Sequence, residues 1–202
     1  MKILGVILAG GLSTRMGGGD KSLLPLDGTP LLRHVIIRIT PQVDGRLLNA
    51  NGDARRFGAF SLPIAPDSID GYAGPLAGIL AGMDYADYHG FTHIQTVAAD
   101  TPFFPTDLVQ RLSEGAHQIN IARDDNANEK FALHPTFGLW DVTLRDELRA
   151  SINDGMRKVM GFVKQQDWRG VTWETTDYDP FFNVNTPADM AQAELIIQGM
   201  NK

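Results

Sequence analysis

The chain of 202 residues contains no cysteine, which excludes disulfides, thiolate metal centres and a cysteine nucleophile. Long apolar runs are missing too. No stretch approaches the roughly 20 residues of a membrane helix. The apolar start, Lys2 to Leu8, lacks a basic leader and is cut short by Gly10 and Gly11, so no signal peptide is visible. A cationic surface is also lacking: the net charge is −6, the wrong sign for releasing counterions from nucleic acid. These absences predict a cytoplasmic protein with neither membrane nor nucleic-acid partners. A small anionic ligand stays open if local cations, a metal or aimed backbone amides overcome the overall field.

The remainder is ordinary for a globular protein, with 43% hydrophobic and 21% charged residues and no repeat or composition break. One domain is expected over residues 1–202. "KILGVIL" is a short apolar run that suits a buried parallel strand. Pro30 to Ile39 has apolar residues at helical spacing, and Gly74 to Tyr88 reads as a helix opening at Pro75. Strands are expected at Arg46–Ala50, Leu62–Ala65, His93–Ala98 and Gln118–Ala122, the last followed by a polar loop, "RDDNANEK". Phe131 to Trp140 is strand-like but interrupted by His134-Pro135, and Val171 to Thr175 alternates like an edge strand. Helices are expected at Pro105–Leu112, Val142–Ile152 and Met156–Lys164. A final helix starts with Thr186 as cap, Pro187 at its first position and Asp189 completing a capping box.

Strands alternating with helices predict a three-layer α/β/α domain with a mostly parallel sheet. Ligands bind such sheets beyond the carboxyl ends of the strands. "LAGG", Asn49, Asp67 and Asp100 all fall there, on one rim.

The most unusual stretch is Leu8 to Lys21, "LAGGLSTRMGGGDK". A glycine-rich loop after a first strand can present backbone amides to phosphate, although a flexible turn is the plain alternative. It is not a P-loop, because Asp20 separates Gly19 from Lys21, and no register of its glycines satisfies G-x-G-x-x-G. Lys21 and Arg15 could neutralise an anion or could be solvated loop charges. Asp100 could hold a hard metal ion or cap a turn. Asn49 and Asp67 could likewise be turn caps, "PDS" being a good turn sequence. His134 before proline could simply be packed, and it has no partner at metal-ligand spacing. The three tryptophans read as core or core-edge residues.

The pattern L-A-G-G-x-x-x-R-M-G-x-x-D-K resembles the signature loop of nucleotidyltransferases with the Rossmann-like fold of sugar-nucleotide transferases. With "LLNAN", "PDSIDGYAGPLAG", "AADTPF", "HPTFGLW", "MRKVMGFV" and "FFNVNTPADM" following in order, the chain resembles the molybdenum cofactor guanylyltransferases from residue 3 to about residue 190.

That resemblance implies transfer of GMP from GTP to the terminal phosphate of molybdopterin, with Mg²⁺ and loss of pyrophosphate. It implies that residues 1 to about 100 bind nucleotide and the remainder binds the acceptor. Leu8, Ala9, Gly10 and Gly11 would line the nucleotide, and Asn49 and Asp67 would contact its nucleoside part. Arg15 and Lys21 would neutralise the phosphates, and Asp100 would hold Mg²⁺, with Asn185 or Asp20 conceivable through water. His134, Arg157, Asn183 and Asn185 would face molybdopterin. Transient contacts with molybdenum insertion enzymes and recipient apo-enzymes are implied as well. Cytidylyl-transferring relatives tend to carry alanine where Gly10 stands and asparagine where Asp67 stands, so both residues lean towards guanine. The alternatives are a molybdopterin cytidylyltransferase, another nucleotidyltransferase with a sugar 1-phosphate acceptor, and a non-catalytic GTP-binding module.

Overall fold

A computed structural model describes residues 1–9, 20–69, 74–125, 133–175 and 177–200. Its strands are β1 Ile3–Leu8, β2 Pro25–Leu26, β3 Thr29–Pro30, β4 Gly45–Asn49, β5 Ile64–Ala65, β6 His93–Ala98, β7 Ile119–Asp124, β8 Leu133–Asp141 and β9 Trp168–Trp173. Its helices are α1 Leu31–Ile39, α2 Pro75–Tyr88, α3 Leu108–Leu112, α4 Arg145–Asn153, α5 Val159–Val163 and α6 Pro187–Met200.

Among the described residues seven strands form one sheet in the order β5-β4-β1-β6-β8-β7-β9, in which only β8 runs against its neighbours. The apolar residues of α1 and α3 cover one face, and those of α2, α4 and α5 cover the other. Burial on both faces is why β1 reads as a continuous apolar run rather than an alternating one. The three-layer, mostly parallel arrangement expected from the sequence is therefore present.

Several boundaries differ. β7 continues through Arg123 and Asp124, expected in the polar loop; parallel pairing with β9 carries the strand on. β8 absorbs His134-Pro135 as a bulge: Gly138 pairs with Ile121 and His134 with Ala122, so the proline donates to no ladder. Helix α3 begins at Leu108 rather than Pro105, and a 3-10 turn at Val142–Leu144 precedes α4. Edge strand β9 starts at Trp168. The short hairpin of β2 and β3 turns through Asp27 and Gly28, both at positive φ, which matches the strands' twist. It packs with Phe103 and α6 in a small separate cluster.

Candidate active site

β1, β4, β5 and β6 run parallel, and their register sets Ala65, Asn49, Leu8 and Ala98 in one row at the carboxyl ends. From β1 the chain winds outward through β4 and β5, then crosses back through α2 to β6 on the other side of β1. The winding therefore reverses at β1, the place where open α/β sheets leave a crevice for ligands. The peptide joining Leu8 to Ala9 is engaged in the sheet: Ala99 N donates to Leu8 O and Ala9 N to Asn49 O.

On one side of this crevice stands Asn49, buried at the end of β4. Its Nδ2 donates to Ala65 O at 3.2 Å and to Asp67 Oδ1 at 3.0 Å. The other oxygen of Asp67 accepts from Asn51 Nδ2 at 2.8 Å, and Asp67 N donates to Asn51 Oδ1 at 2.9 Å. Helix α2 approaches so closely that a Cβ on Gly78 would lie 2.3 Å from Asn49 Oδ1. The glycine is thus what lets the helix seat against this amide.

On the other side, Lys21 opens a 3-10 turn and reaches across to Asp100, two residues beyond β6. Nζ donates to Asp100 Oδ2 at 2.5 Å and to Asn185 Oδ1 at 2.6 Å. Val184 N donates to Asp100 O at 2.9 Å, locking the loop before α6 to the end of β6. The fully buried Thr101 hydroxyl lies 2.5 Å from Asn183 Oδ1 and 3.2 Å from Asp100 Oδ1. The capping box holds this loop from below: Asn185 N and Thr186 N both donate to Asp189, and Asp189 N donates to Thr186 Oγ1. Burial alone would push the Asp189 carboxyl up, but these donors prevail and hold it below its ordinary value.

His134 comes close to the same loop. Its Nε2 lies 3.0 Å from the carboxylate of buried Asp124, and its ring stacks on Phe181 with centroids 4.2 Å apart. Phe181 precedes Asn183 by two residues. Burial pushes the imidazole below its ordinary value, opposed by Asp124 and Asp179. A carboxylate only accepts, so the Nε2 position carries the proton and donates to it.

Lys21, Asp100, Asn183 and Asn185 thus form one cluster, Asn49 and Asp67 another, and His134 flanks the first. Arg157 is held at the carboxyl end of α4, where Nη1 donates to Ile152 O and Met156 O. Gly10, Gly11 and Arg15 lie outside the described residues. Trp140 and Trp173 are buried, donating to Thr96 Oγ1 and Asp107 Oδ1. Asp20, conceivable as a water-mediated metal ligand, is paired with Arg56 instead.

Asn51, Arg56, Thr101 and Asp124 join the site without being expected from the sequence. The repeated asparagine of "LLNAN" and the hydroxyl after Asp100 were available signals for two of them. Asp124 carries none, because it opens a polar run, "DDNANEK", that reads as loop.

Among the described residues no group of three or more His, Cys, Asp or Glu could hold a metal. The donors present are the oxygens of Asp100 and Asn185, which already share one cation, the Lys21 ammonium. Such a sparse, hard donor pair fits Mg²⁺, which draws most of its ligands from phosphate and water.

Residues 5–168 match the family model of the MobA-like NTP transferase domain. The chain belongs to this family. A molybdenum cofactor guanylyltransferase of Bradyrhizobium sp. (strain ORS 278) is 46% identical over 195 residues, spanning 94% of this MobA-like chain and 91% of the relative. One from Mesorhizobium japonicum is 43% identical over 205 residues, spanning 98% and 97%. The crystal structure of molybdopterin-guanine dinucleotide biosynthesis protein A from Archaeoglobus fulgidus superposes with a TM-score of 0.74. At 23% identity, over 98% of this chain and all of the other, that likeness concerns the fold. The family expected from the motifs is the family found. No helix among the described residues of this MobA-like transferase is long and apolar enough to cross a membrane.

Proposed function

We infer that the chain transfers GMP from GTP to the terminal phosphate of molybdopterin, forming the guanine dinucleotide and releasing pyrophosphate. The observation that carries this reading is the Lys21 ammonium held between Asp100 and Asn185 across the crevice from Asn49 and Asp67. One side offers amide and carboxylate groups for a base and ribose, and the other offers charge for phosphates. The molybdenum cofactor guanylyltransferases at 46% and 43% identity supply the substrates.

An oxygen of the acceptor phosphate attacks the α-phosphorus, a new P–O bond forms, and the bond to the β-phosphate oxygen breaks. A phosphate monoester has a second pKa near ~6 and is already nucleophilic at neutral pH, so no strong general base is needed. The protein's task is in-line positioning and charge neutralisation. Lys21 turns its ammonium from Asp100 to the triphosphate, and Arg15 acts on the same anion. Asp100, with Asn185 beside it, would hold Mg²⁺, which when bound supplies charge neutralisation at the phosphate oxygens. Asn49 and Asp67 orient the nucleoside, with Leu8, Ala9, Gly10 and Gly11 beside it. His134, Arg157, Asn183 and Asn185 serve the acceptor, so residues 1 to about 100 bind nucleotide and the remainder binds molybdopterin. Asn185 belongs to both sides, since it also meets Lys21. A cytoplasmic place of action and transient contact with molybdenum insertion enzymes and recipient apo-enzymes belong to the same reading.

The test is pyrophosphate release with Mg²⁺, molybdopterin and either GTP or CTP. Release with GTP is expected. Release with CTP alone overturns the guanine assignment, and GTP binding without any release indicates a silent binding module.

A further inference from the structure

Asp20 immediately precedes Lys21, and the nucleotide chemistry above gives it no task. Its carboxylate is ion-paired with Nε of Arg56. Arg56 belongs to the 3-10 segment Ala54–Phe60, which follows β4 on the nucleoside side of the crevice. The same guanidinium donates from Nη2 to Asn51 O at 2.6 Å and from Nη1 to Asp53 O at 2.7 Å. Its Cζ lies over the ring of buried Phe57, 4.5 Å from the centroid. All three nitrogens are therefore engaged, in three directions that a lysine could not satisfy together.

The bonds continue on both sides. Asn51 accepts from Arg56 through its carbonyl and exchanges two hydrogen bonds with Asp67 through its side chain. Asp67 in turn holds Asn49. In the other direction, Asp20 passes directly along the chain to Lys21 and so to Asp100. Arg56 consequently stands between the residues that would meet the nucleoside and the residue that would meet the phosphates.

We propose that Arg56, acting through Asp20, is a positioning residue that sets Lys21 relative to the Asn49–Asp67 pair and so couples base recognition to phosphate neutralisation. The inference rests on the proposed function. Its physical basis is the steep dependence of phosphoryl transfer on geometry: a displacement of about 1 Å far from the reacting atoms can cost about a hundredfold in rate. A tether from the nucleoside loop to Lys21 makes the position of the ammonium depend on whether the correct base has seated Asp67.

Asp20→Asn, Arg56→Gln and the double variant test this in the full chain. The readouts are GTP and CTP affinity by calorimetry, kcat and KM for GMP transfer, and the unfolding midpoint. Each single variant is expected to lower kcat/KM for GTP by about tenfold and to narrow the preference for GTP over CTP. The double variant is expected to be no worse than the more impaired single one, because both break the same tether. Arg56→Lys, which keeps the charge but loses the grip on both carbonyls, should fall between Arg56→Gln and wild type. Asp20→Asn leaves the bonds of Arg56 to Asn51 and Asp53 in place, so it decides the matter even if Arg56→Gln fails to fold. Additive effects, an unchanged GTP preference in Asp20→Asn, or an activity loss that merely tracks lost folded protein would each overturn the proposal. A wild-type protein that does not favour GTP overturns the proposed function instead, a result visible before any variant is made.

Discussion

Lys21 and Asp100 lie 79 positions apart in the chain, yet Nζ of one meets Oδ2 of the other at 2.5 Å. The pair is partly buried just beyond the carboxyl end of β6, and Asn185 adds a second oxygen to the same ammonium. A cation and an anion that neutralise each other there leave no stranded charge in a partly desolvated crevice. In the proposed function the two exchange these partners, the ammonium for a phosphate and the carboxylate for a divalent ion.

Asp100→Asn should retain the fold, since an amide oxygen can still accept from Lys21. Turnover with Mg²⁺ should fall by about a hundredfold or more, as for the loss of one preorganised charge at a transition state. Steady-state pyrophosphate release over a Mg²⁺ titration measures this. Near-wild-type turnover would remove Asp100 from metal binding.

Gly78→Ala places a methyl group 2.3 Å from Asn49 Oδ1 and 2.9 Å from Leu8 Cδ2. Alanine's better helix propensity favours the variant by up to ~1 kcal/mol, whereas overpacking costs about 1–3 kcal/mol, so destabilisation wins. KM for GTP should rise because Asn49 is displaced. Gly82→Ala, whose Cβ would meet Val6 Cγ2 at 2.7 Å, should lower stability alone. Equal KM values in the two variants would separate Asn49 from the nucleotide.

Asp67→Asn replaces one of two acceptors by an amide donor facing Asn49 or Asn51, both of which already donate there. Losing a hydrogen bond to a charged acceptor is worth about 1.5–3 kcal/mol, so kcat/KM for GTP should drop roughly tenfold to a hundredfold. CTP should suffer less. Competition between the two nucleotides reads the ratio directly, and a ratio that does not move would free Asp67 from base recognition.

His134 titrates below its ordinary value of 6.5 because it is buried. The unfolded chain then binds more protons than the folded one below that pH, so stability is full above about 6.5 and is lost as pH falls through the depressed folded value. Melting temperature should fall more steeply with acidification in the wild type than in His134→Gln. Parallel curves would show that the Asp124–His134 pair contributes no pH dependence.

Much of the fold was legible because local pattern and tertiary outcome agree. The short stretches expected as strands at Lys2–Leu8, Arg46–Ala50, Leu62–Ala65 and His93–Ala98 became β1, β4, β5 and β6, and the Thr186–Asp189 capping box started α6 where expected. Asp124 was not legible, since a carboxylate at a strand's end looks like loop until β9 pairs with it. The His134-Pro135 interruption was visible, but its resolution into a bulge depends on the partner strand.

From the sequence alone followed the α/β class, the rim of polar residues after the strands, and the rejection of a P-loop through Asp20. Those properties depend on residue type and spacing, which the chain carries locally. Only the tertiary structure decided that Lys21 meets Asp100 and Asn185, that Asp67 is held by two asparagines, and that Asp20 turns to Arg56. These contacts join residues far apart in sequence, and their geometry is set by strand register and helix packing.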